Sequence, residues 1–108
     1  MARVIRWGEV RWCAFREPDK RRPVVILTRD SVLAYLNEVT VAPITTTVRD
    51  IPSEVLLTEE DGLPKPCAIN ADHLQTVSKS RITTLITRLN ASKMDDLRLA
   101  IEFALGLR

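Results

Sequence analysis

Two segments of the chain combine residue types that can stabilise negative charge on a phosphate. Arg22 directly precedes the aliphatic run 23–27, which is typical of a buried strand and would hold the guanidinium at the rim of a sheet. An arginine there can bind a phosphate through two parallel hydrogen bonds. Thr45, Thr46 and Thr47 follow a second β-rich run, and their hydroxyls can donate to phosphate oxygens or to a developing oxyanion.

Each segment also has a structural interpretation when it is taken alone. Arg21 and Arg22 could be solvated charges of a loop, and threonine is a common residue in strands. Asn70-Ala71-Asp72-His73 adds a carboxylate beside an imidazole, but consecutive residues of a strand point to opposite faces, so the two groups need not act together. His73 fits a general base, a surface residue or a residue that stacks on bases. The local sequence leaves these alternatives open.

The inventory of chemical groups excludes several kinds of site. The chain has one histidine, so an all-histidine metal site and the two-histidine proton relay of some ribonucleases are both excluded. A glycine-rich phosphate loop and a paired-cysteine zinc motif are also missing from the sequence. We therefore expect no metal and no cofactor. If the protein is an enzyme, arginine, threonine, aspartate and the lone histidine remain for the chemistry.

The charge is unevenly distributed along the chain. The net charge of +2 is too small to prove a nucleic-acid partner. Before Leu27, however, cations outnumber the carboxylates Glu9, Glu17 and Asp19; the cations are Arg3, Arg6, Arg11, Arg16, Lys20, Arg21 and Arg22. This N-terminal quarter is a candidate phosphate-facing surface, although a cluster of charges can also be a solvated face.

Length and composition predict one domain over residues 1–108, since 45% hydrophobic and 28% charged residues are typical of globular proteins. No apolar stretch approaches the ~18 residues of a membrane span, and no secretory signal is evident, so we expect a cytosolic protein without membrane contact. Cys13 and Cys67 lie inside apolar runs. They are predicted to be buried hydrophobic residues rather than disulfide partners or nucleophiles.

The elements that must position these groups are mostly strands. Period-two patterns and β-branched runs predict about six of them, at residues 9–15, 23–28, 39–45, 53–57, 67–70 and 81–88. Pro23 is expected at the first position of its strand, where no ladder hydrogen bond is lost. Residues 29–37 are predicted to form a short helix or turn with Asp30 as a possible cap. Trp12 is expected in the core and Trp7 at the surface.

The last element is predicted to be an amphipathic helix. Its buried stripe follows three- and four-residue steps through Met94, Leu97, Ala100, Ile101, Ala104 and Leu105. Ser92 and Asp95 are a candidate capping pair, and Gly106 a stop. Leu99, Phe103 and Leu107 either form an interface or finish the core. Several short strands followed by one helix favour a small, strongly bent barrel with the helix packed on its side.

The order and spacing of these segments resemble the MazF/PemK toxins, the ribonuclease half of toxin-antitoxin modules. The matching pieces are Gly8-Glu9-Val10 with Trp12, and the runs 22–27, 41–46 and 72–77, followed by the terminal helix. This resemblance implies a mainly β fold, an SH3-like small barrel of about six strands with a C-terminal amphipathic helix. It also implies a homodimer that cuts single-stranded RNA at short preferred sequences without metal, and so inhibits translation and growth.

The resemblance also implies roles for individual residues. Arg22 matches the family's catalytic arginine, Thr45 its catalytic serine or threonine, and Asp72 an aspartate that some members use near the scissile phosphate. RNA contacts are implied for the polar residues around them, which are Arg16, Lys20, Arg21, Thr46, Thr47, Asn70, His73, Gln75 and Thr76. The general base stays open between Asp72 and a second role of the arginine.

The chain departs from the family pattern at two places. The first loop lacks the Gly-x-Glu-Gln segment of many members, and Asn70 stands where some relatives carry arginine, which removes a positive charge. The implied partner is an antitoxin with a flexible, acidic tail that covers the RNA groove. Two alternatives are an SH3-like module that binds RNA or peptide without cutting, and a barrel toxin that targets DNA gyrase.

Overall fold

The computed structural model describes residues 4–16 and 21–107. Most of the elements in these ranges are strands, and they are β1 (Glu9–Ala14), β2 (Arg21–Ile26), β3 (Glu38–Thr45), β4 (Glu54–Leu57), β5 (Cys67–Asn70), β6 (Gln75–Ser78) and β7 (Ile82–Arg88). The helices are α1 (Asp30–Leu33) and α2 (Ala91–Ala104), and short 3₁₀ turns span Glu59–Asp61, Ala71–His73 and Lys79–Arg81. The predicted mainly β chain with a terminal helix is confirmed. No described helix is long and apolar enough to cross a membrane.

Strand β3 organises the sheet because it pairs with three neighbours. The strands run antiparallel in the order β4-β5-β3-β2-β1-β7. Along its second edge, the first half of β3 pairs with β6 and its end pairs with β5. The sheet must bend between these partners. No ladder within the described ranges joins β4 to β7, so the small barrel is a strongly bent sheet that stays open.

The strand predictions succeed where the pattern is strong and fail where it is weak. β5 has the predicted bounds, and the other predicted strands are found with shifts of one or two residues at their ends. β2 begins at Arg21, so the expectation that Pro23 opens the strand was wrong. Pro23 still lies beyond the β2–β3 ladder, which starts at Val24. β6 was missed, because Gln75-Thr-Val-Ser78 has little apolar alternation.

The two α-helices begin at residues other than those predicted. α1 is a single turn with Arg29 at its N-cap, and Asp30 does not cap it but accepts the Trp7 backbone N–H at 2.7 Å. α2 is capped by Asn90, whose Oδ1 accepts the Lys93 backbone N–H at 2.8 Å, so the predicted Ser92 cap was wrong. Gly106 has φ of +72° and ends the helix as expected.

The bent sheet buries apolar side chains on both faces. On one face, Val10, Val25, Ile44 and Ile69 pack with the α2 residues Met94, Leu97 and Ala100. On the other face, a smaller cluster contains Cys13, Val24, Ile26, Val41 and Ile82. Cys13 and Cys67 are buried free thiols, as predicted, and burial raises the pKa of each. Because side chains alternate along a strand, consecutive residues of β2 pack on opposite faces of the sheet.

Several apolar side chains are exposed on α2 and just after it, beside charged residues of the same helix. Leu99, Phe103 and Leu107 are 36%, 54% and 69% exposed, so they do not complete the core. Leu105, which was placed in the buried stripe, is 57% exposed and lies at the end of the helix. Large apolar side chains exposed together on one helix commonly mark a contact with another protein.

Part of the N-terminal positive charge is used inside the protein. Arg11 is 7% exposed, with Nε at 2.7 Å from Glu9 Oε1 and Nη1 at 2.8 Å from the Thr83 carbonyl. Burial raises the pKa of Glu9, but hydrogen bonds from Arg11 and from the Arg6 backbone N–H outweigh this and hold it below its usual value. Arg11 therefore links β1 to β7 and is not part of a phosphate-facing surface.

Candidate functional site

A small polar cleft lies where β2 begins and where β3 and β5 end. It encloses about 180 Å³ and is lined by Arg22, Pro43, Ile44, Thr45, Thr47, Arg49, Asn70 and His73. A larger groove of about 410 Å³ lies between Trp7 and α2, but its wall is mostly apolar. The smaller cleft is the better candidate for chemistry, because it collects cationic side chains, a hydroxyl and an imidazole in one place.

Strand register explains why these residues meet. Arg22 lies on the same face of β2 as Val24, and Val24 pairs with Pro43 of β3. Two residues further along β3, the same face carries Thr45. Thr45 pairs with the β5 residue two positions before Asn70, so Asn70 shares this face as well. Three strands distant in sequence thus direct their polar side chains into one cleft.

The Thr45 hydroxyl is oriented by its own loop. Its Oγ1 accepts the Thr47 backbone N–H at 3.0 Å, which leaves the hydroxyl proton for another acceptor. Thr45 is half-buried, whereas Thr46 and Thr47 are exposed, and Thr46 does not line the cleft. Only the first hydroxyl of the threonine run is therefore both held in place and directed into the cleft.

A hydrogen-bond network positions the imidazole. Asn70 is buried, its Oδ1 accepts the Asp72 backbone N–H at 2.9 Å, and its Nδ2 lies 3.2 Å from His73 Nδ1. Because an amide nitrogen only donates, Nδ1 accepts and the proton of the neutral ring is on Nε2. Asp72 is exposed and does not line the cleft, and its Oδ2 accepts a hydrogen bond from Ser53 Oγ at 2.6 Å.

Arg49 was not predicted to belong to this site. It lies in the loop after β3, where no helical or strand pattern predicts the direction of a side chain. The available signal was its position four residues after Thr45. Glu54 Oε1 accepts the backbone N–H groups of Arg49 and Asp50 at 2.9 and 3.0 Å. Asn70 stands where some relatives carry arginine, and Arg49 supplies a positive charge to the cleft in its place.

Other predicted RNA-binding residues lie away from the cleft. Arg21 is on the opposite face of β2 from Arg22, and its guanidinium carbon lies 4.9 Å from the centre of the half-buried Trp12 ring. Gln75 and Thr76 pair with the β3 residues four and five positions before Thr45, roughly 13 and 16 Å along the strand. Arg16 is exposed and does not line the cleft, and Lys20 lies outside the described residues.

The electrostatic character of the cleft is positive. Arg22 and Arg49 are both part of its wall, and among residues 4–16 and 21–107 no aspartate or glutamate is. An anion is therefore the ligand that this wall favours. In residues 4–16 and 21–107, no three His, Cys, Asp or Glu side chains are grouped so that they could hold a metal ion.

Comparison with known proteins identifies the domain. A family model described as "PemK-like, MazF-like toxin of type II toxin-antitoxin system" matches residues 6–105. The chain belongs to this toxin family. The match spans every residue of the cleft and the whole of α2. The predicted membership of the MazF/PemK family is thereby confirmed.

Relatives in the MazF family carry the same architecture. "Probable endoribonuclease MazF5" of Mycobacterium tuberculosis is 40% identical over 98 residues, which are 90% of this chain and 89% of the relative. The solved structure "Mycobacterium tuberculosis toxin MazF-mt6" matches with a TM-score of 0.85 at 39% identity, over 93% of this chain and 98% of that chain. "Endoribonuclease in complex with its cognate antitoxin from Mycobacterial species" matches with a TM-score of 0.85 at 25% identity, over 96% and 97%.

Proposed function

We propose that this MazF-family chain is the toxin of a toxin-antitoxin pair and acts as an endoribonuclease on single-stranded RNA. The observation that carries the proposal is a cleft with Arg22, Arg49 and the Thr45 hydroxyl on its wall and no carboxylate there from the part of the chain that the structure describes. Such a wall attracts a phosphodiester and repels a divalent cation, so the proposed cleavage is independent of metal. Relatives at 40% and 39% identity are named as an endoribonuclease and as a toxin.

In the proposed reaction, the ribose 2′-hydroxyl attacks the adjacent phosphorus. The bond from phosphorus to the 5′-oxygen breaks, giving a 2′,3′-cyclic phosphate and a free 5′-hydroxyl. The extra negative charge at phosphorus is stabilised by the Arg22 guanidinium and by a hydrogen bond from Thr45 Oγ1. Arg22 also supplies the proton to the leaving 5′-oxygen and is reprotonated by solvent.

We assign Asp72 as the base that takes the 2′-hydroxyl proton through one water molecule, since its carboxylate does not itself line the cleft. It is exposed and lies between Asn70 and His73, both of which line the cleft. Ser53 Oγ holds one carboxylate oxygen at 2.6 Å, which leaves the other for the incoming proton. His73 is unsuited to this role while Nδ1 accepts from Asn70, because its second nitrogen then carries a proton and donates. We assign His73 to a hydrogen bond with an RNA oxygen.

The proposed partners follow from the same surfaces. A flexible acidic antitoxin tail would compete with RNA for the positive cleft, and a relative has been solved in complex with its cognate antitoxin. The exposed apolar side chains Leu99, Phe103 and Leu107, on α2 and just after it, support a homodimer. The proposed RNA substrate would be met in the cytosol.

The purified protein should be incubated with a defined single-stranded RNA in the presence of EDTA, and the cut ends sequenced. We expect cleavage that leaves 5′-hydroxyl ends, and its loss in Arg22→Ala while the circular dichroism spectrum is unchanged. Binding of RNA without any cut would instead support a non-catalytic module. Cleavage by Arg22→Ala at the wild-type rate would contradict the assignment of this cleft.

A further inference from the structure

The loop between β3 and β4 carries Arg49 to the wall of the cleft and is held by one carboxylate. Glu54, the first residue of β4, has Oε1 at 2.9 Å from the Arg49 backbone nitrogen and at 3.0 Å from that of Asp50. One oxygen thus accepts two consecutive N–H groups, and bonds to a charged acceptor are stronger than bonds to a neutral one. Glu54 therefore fixes the path of the backbone at Arg49.

The conformation of this loop depends on that support. Asp50 has φ of +55°, a left-handed conformation that disfavours residues other than glycine, and its N–H is one of the two that Glu54 binds. The far end of the loop is also fixed. Glu54 donates its backbone N–H to the Ile51 carbonyl at 2.9 Å, and the buried Ser53 accepts the Ala71 N–H at 2.9 Å.

The position of Glu54 has an energetic cost, because part of its carboxylate is buried without a hydrogen-bond donor. Its second oxygen, Oε2, is buried and accepts no hydrogen bond from any residue in 4–16 or 21–107. A buried carboxylate oxygen without a donor is unfavourable for folding. The benefit of this side chain therefore lies with Oε1 and the two N–H groups that it holds.

The Arg49 side chain is exposed beside the cleft. Its guanidinium forms no ion pair with the described part of the chain, and no described carboxylate lines the cleft wall. Because the backbone at Arg49 is already fixed, binding of an anion orders only the side chain and costs no further backbone entropy.

We propose that Glu54 is a positioning residue for a second phosphate subsite. It holds the Arg49–Asp50 turn so that Arg49 binds the RNA phosphodiester next to the one at Arg22. The two arginines together span consecutive phosphates of a single strand. This inference rests on the proposed function, because it takes RNA as the ligand of the cleft.

If Glu54 acts only through its charge, removing it should change the RNA affinity in the opposite direction from the change expected if it positions Arg49. Removing an acid beside a phosphate-binding cleft should strengthen RNA binding, because one repulsive charge is lost. If Glu54 instead positions Arg49, Glu54→Ala weakens binding because the turn is released. Glu54→Gln separates the two effects, since its amide oxygen keeps an acceptor for the N–H groups and removes the charge.

The test measures Kd for an RNA whose cut site carries a 2′-deoxynucleotide, which prevents cleavage, together with kcat and KM for the normal RNA. The variants are Arg49→Ala, Glu54→Ala, Glu54→Gln and the double variant Arg49→Ala/Glu54→Ala. Arg29→Ala is the matched control, because Arg29 is exposed and does not line the cleft. Thermal melting checks that each variant is folded.

We expect Arg49→Ala and Glu54→Ala each to raise Kd and KM about tenfold, the loss of roughly one charge-assisted hydrogen bond, with kcat little changed. Glu54→Gln should bind at least as tightly as the wild type, because it keeps the acceptor and removes a negative charge, and Arg29→Ala should bind like the wild type. Arg49→Ala should also lower the slope of log Kd against log salt concentration by about 0.7, the value for one phosphate of a single strand. In the Arg49→Ala background, Glu54→Ala should have no further effect.

Two results would overturn the inference: unchanged or tighter RNA binding by folded Glu54→Ala, or an equal loss from Glu54→Ala with and without Arg49. If Glu54→Ala does not fold, Arg49→Ala still tests the subsite. A Kd and a salt dependence equal to those of the wild type in Arg49→Ala would refute it. A wild-type protein that binds RNA in this pattern without cutting it would instead refute the proposed function and leave the subsite standing.

Discussion

Replacing Thr45 by valine isolates the contribution of one hydroxyl to the proposed reaction. Valine has nearly the same shape and an equal preference for strands, so β3 should be preserved. The substitution removes two hydrogen bonds, the one that Oγ1 accepts from the Thr47 N–H at 3.0 Å and the one that it would donate to the phosphate. These two losses differ greatly in size.

The bond to Thr47 lies at an exposed position, where water replaces it, so its loss should lower the free energy of unfolding by less than about 1 kcal/mol. The bond to phosphate strengthens as charge develops in the transition state. Loss of one such donor typically lowers kcat about 100- to 1000-fold. KM should change by less than about threefold, because Arg22 and Arg49 still bind the ground-state RNA.

The assay is single-turnover cleavage of a labelled RNA oligonucleotide, with thermal melting on the same samples. Thr46→Val is the matched control, because Thr46 is exposed, adjacent in sequence and outside the cleft. It should cut at nearly the wild-type rate. A Thr45→Val protein that cuts within about threefold of wild type, or an equal loss in Thr46→Val, would refute the assignment of the hydroxyl to the phosphate.

Two further predictions concern stability and assembly. Glu9→Gln should lower the free energy of unfolding by about 3 kcal/mol at pH 7, because Arg11 is left buried without its anion. The pKa of Glu9 is lowered in the folded protein, so its stabilising effect is present above the ordinary pKa of 4.5 and is lost as the pH falls through the lower folded pKa. Denaturant titrations should therefore show the difference in free energy of unfolding between wild type and Glu9→Gln becoming smaller only at acid pH. Phe103→Glu, at a side chain 54% exposed on α2, should shift the protein to monomers in sedimentation experiments without unfolding it, and an unchanged dimer would exclude this face as the interface.

The positions of Arg22 and Thr45 were predictable because both adjoin strands with strong patterns. The runs 23–27 and 39–45 are rich in β-branched residues, and their pairing follows from the order of the strands. The same period-two rule also separates Arg21 from Arg22, since consecutive residues face opposite sides of β2. That separation could not be predicted, because the strand was expected to begin at Pro23, with Arg21 and Arg22 in the preceding loop.

Other features depend on contacts between distant residues and could not be predicted from local sequence. Arg49 enters the site because Glu54 holds its backbone, and no spacing rule predicts that bond. The hydrogen bond from Ser53 to Asp72 joins a turn before β4 to one after β5. The polar strand β6 forms because β3 offers a free edge, although its own sequence has little strand character.

The connectivity of the sheet has a consequence for how the protein is made. β1 pairs with β7, and α2 covers the larger core, so the strands that carry Arg22 and Thr45 gain their support from segments near the end of the chain. β7 and α2 are synthesised after β2 and β3. A nascent chain that has not yet emerged as far as α2 therefore carries Arg22 and Thr45 on strands that lack their final packing, and the cleft is assembled only when these later segments have joined the fold.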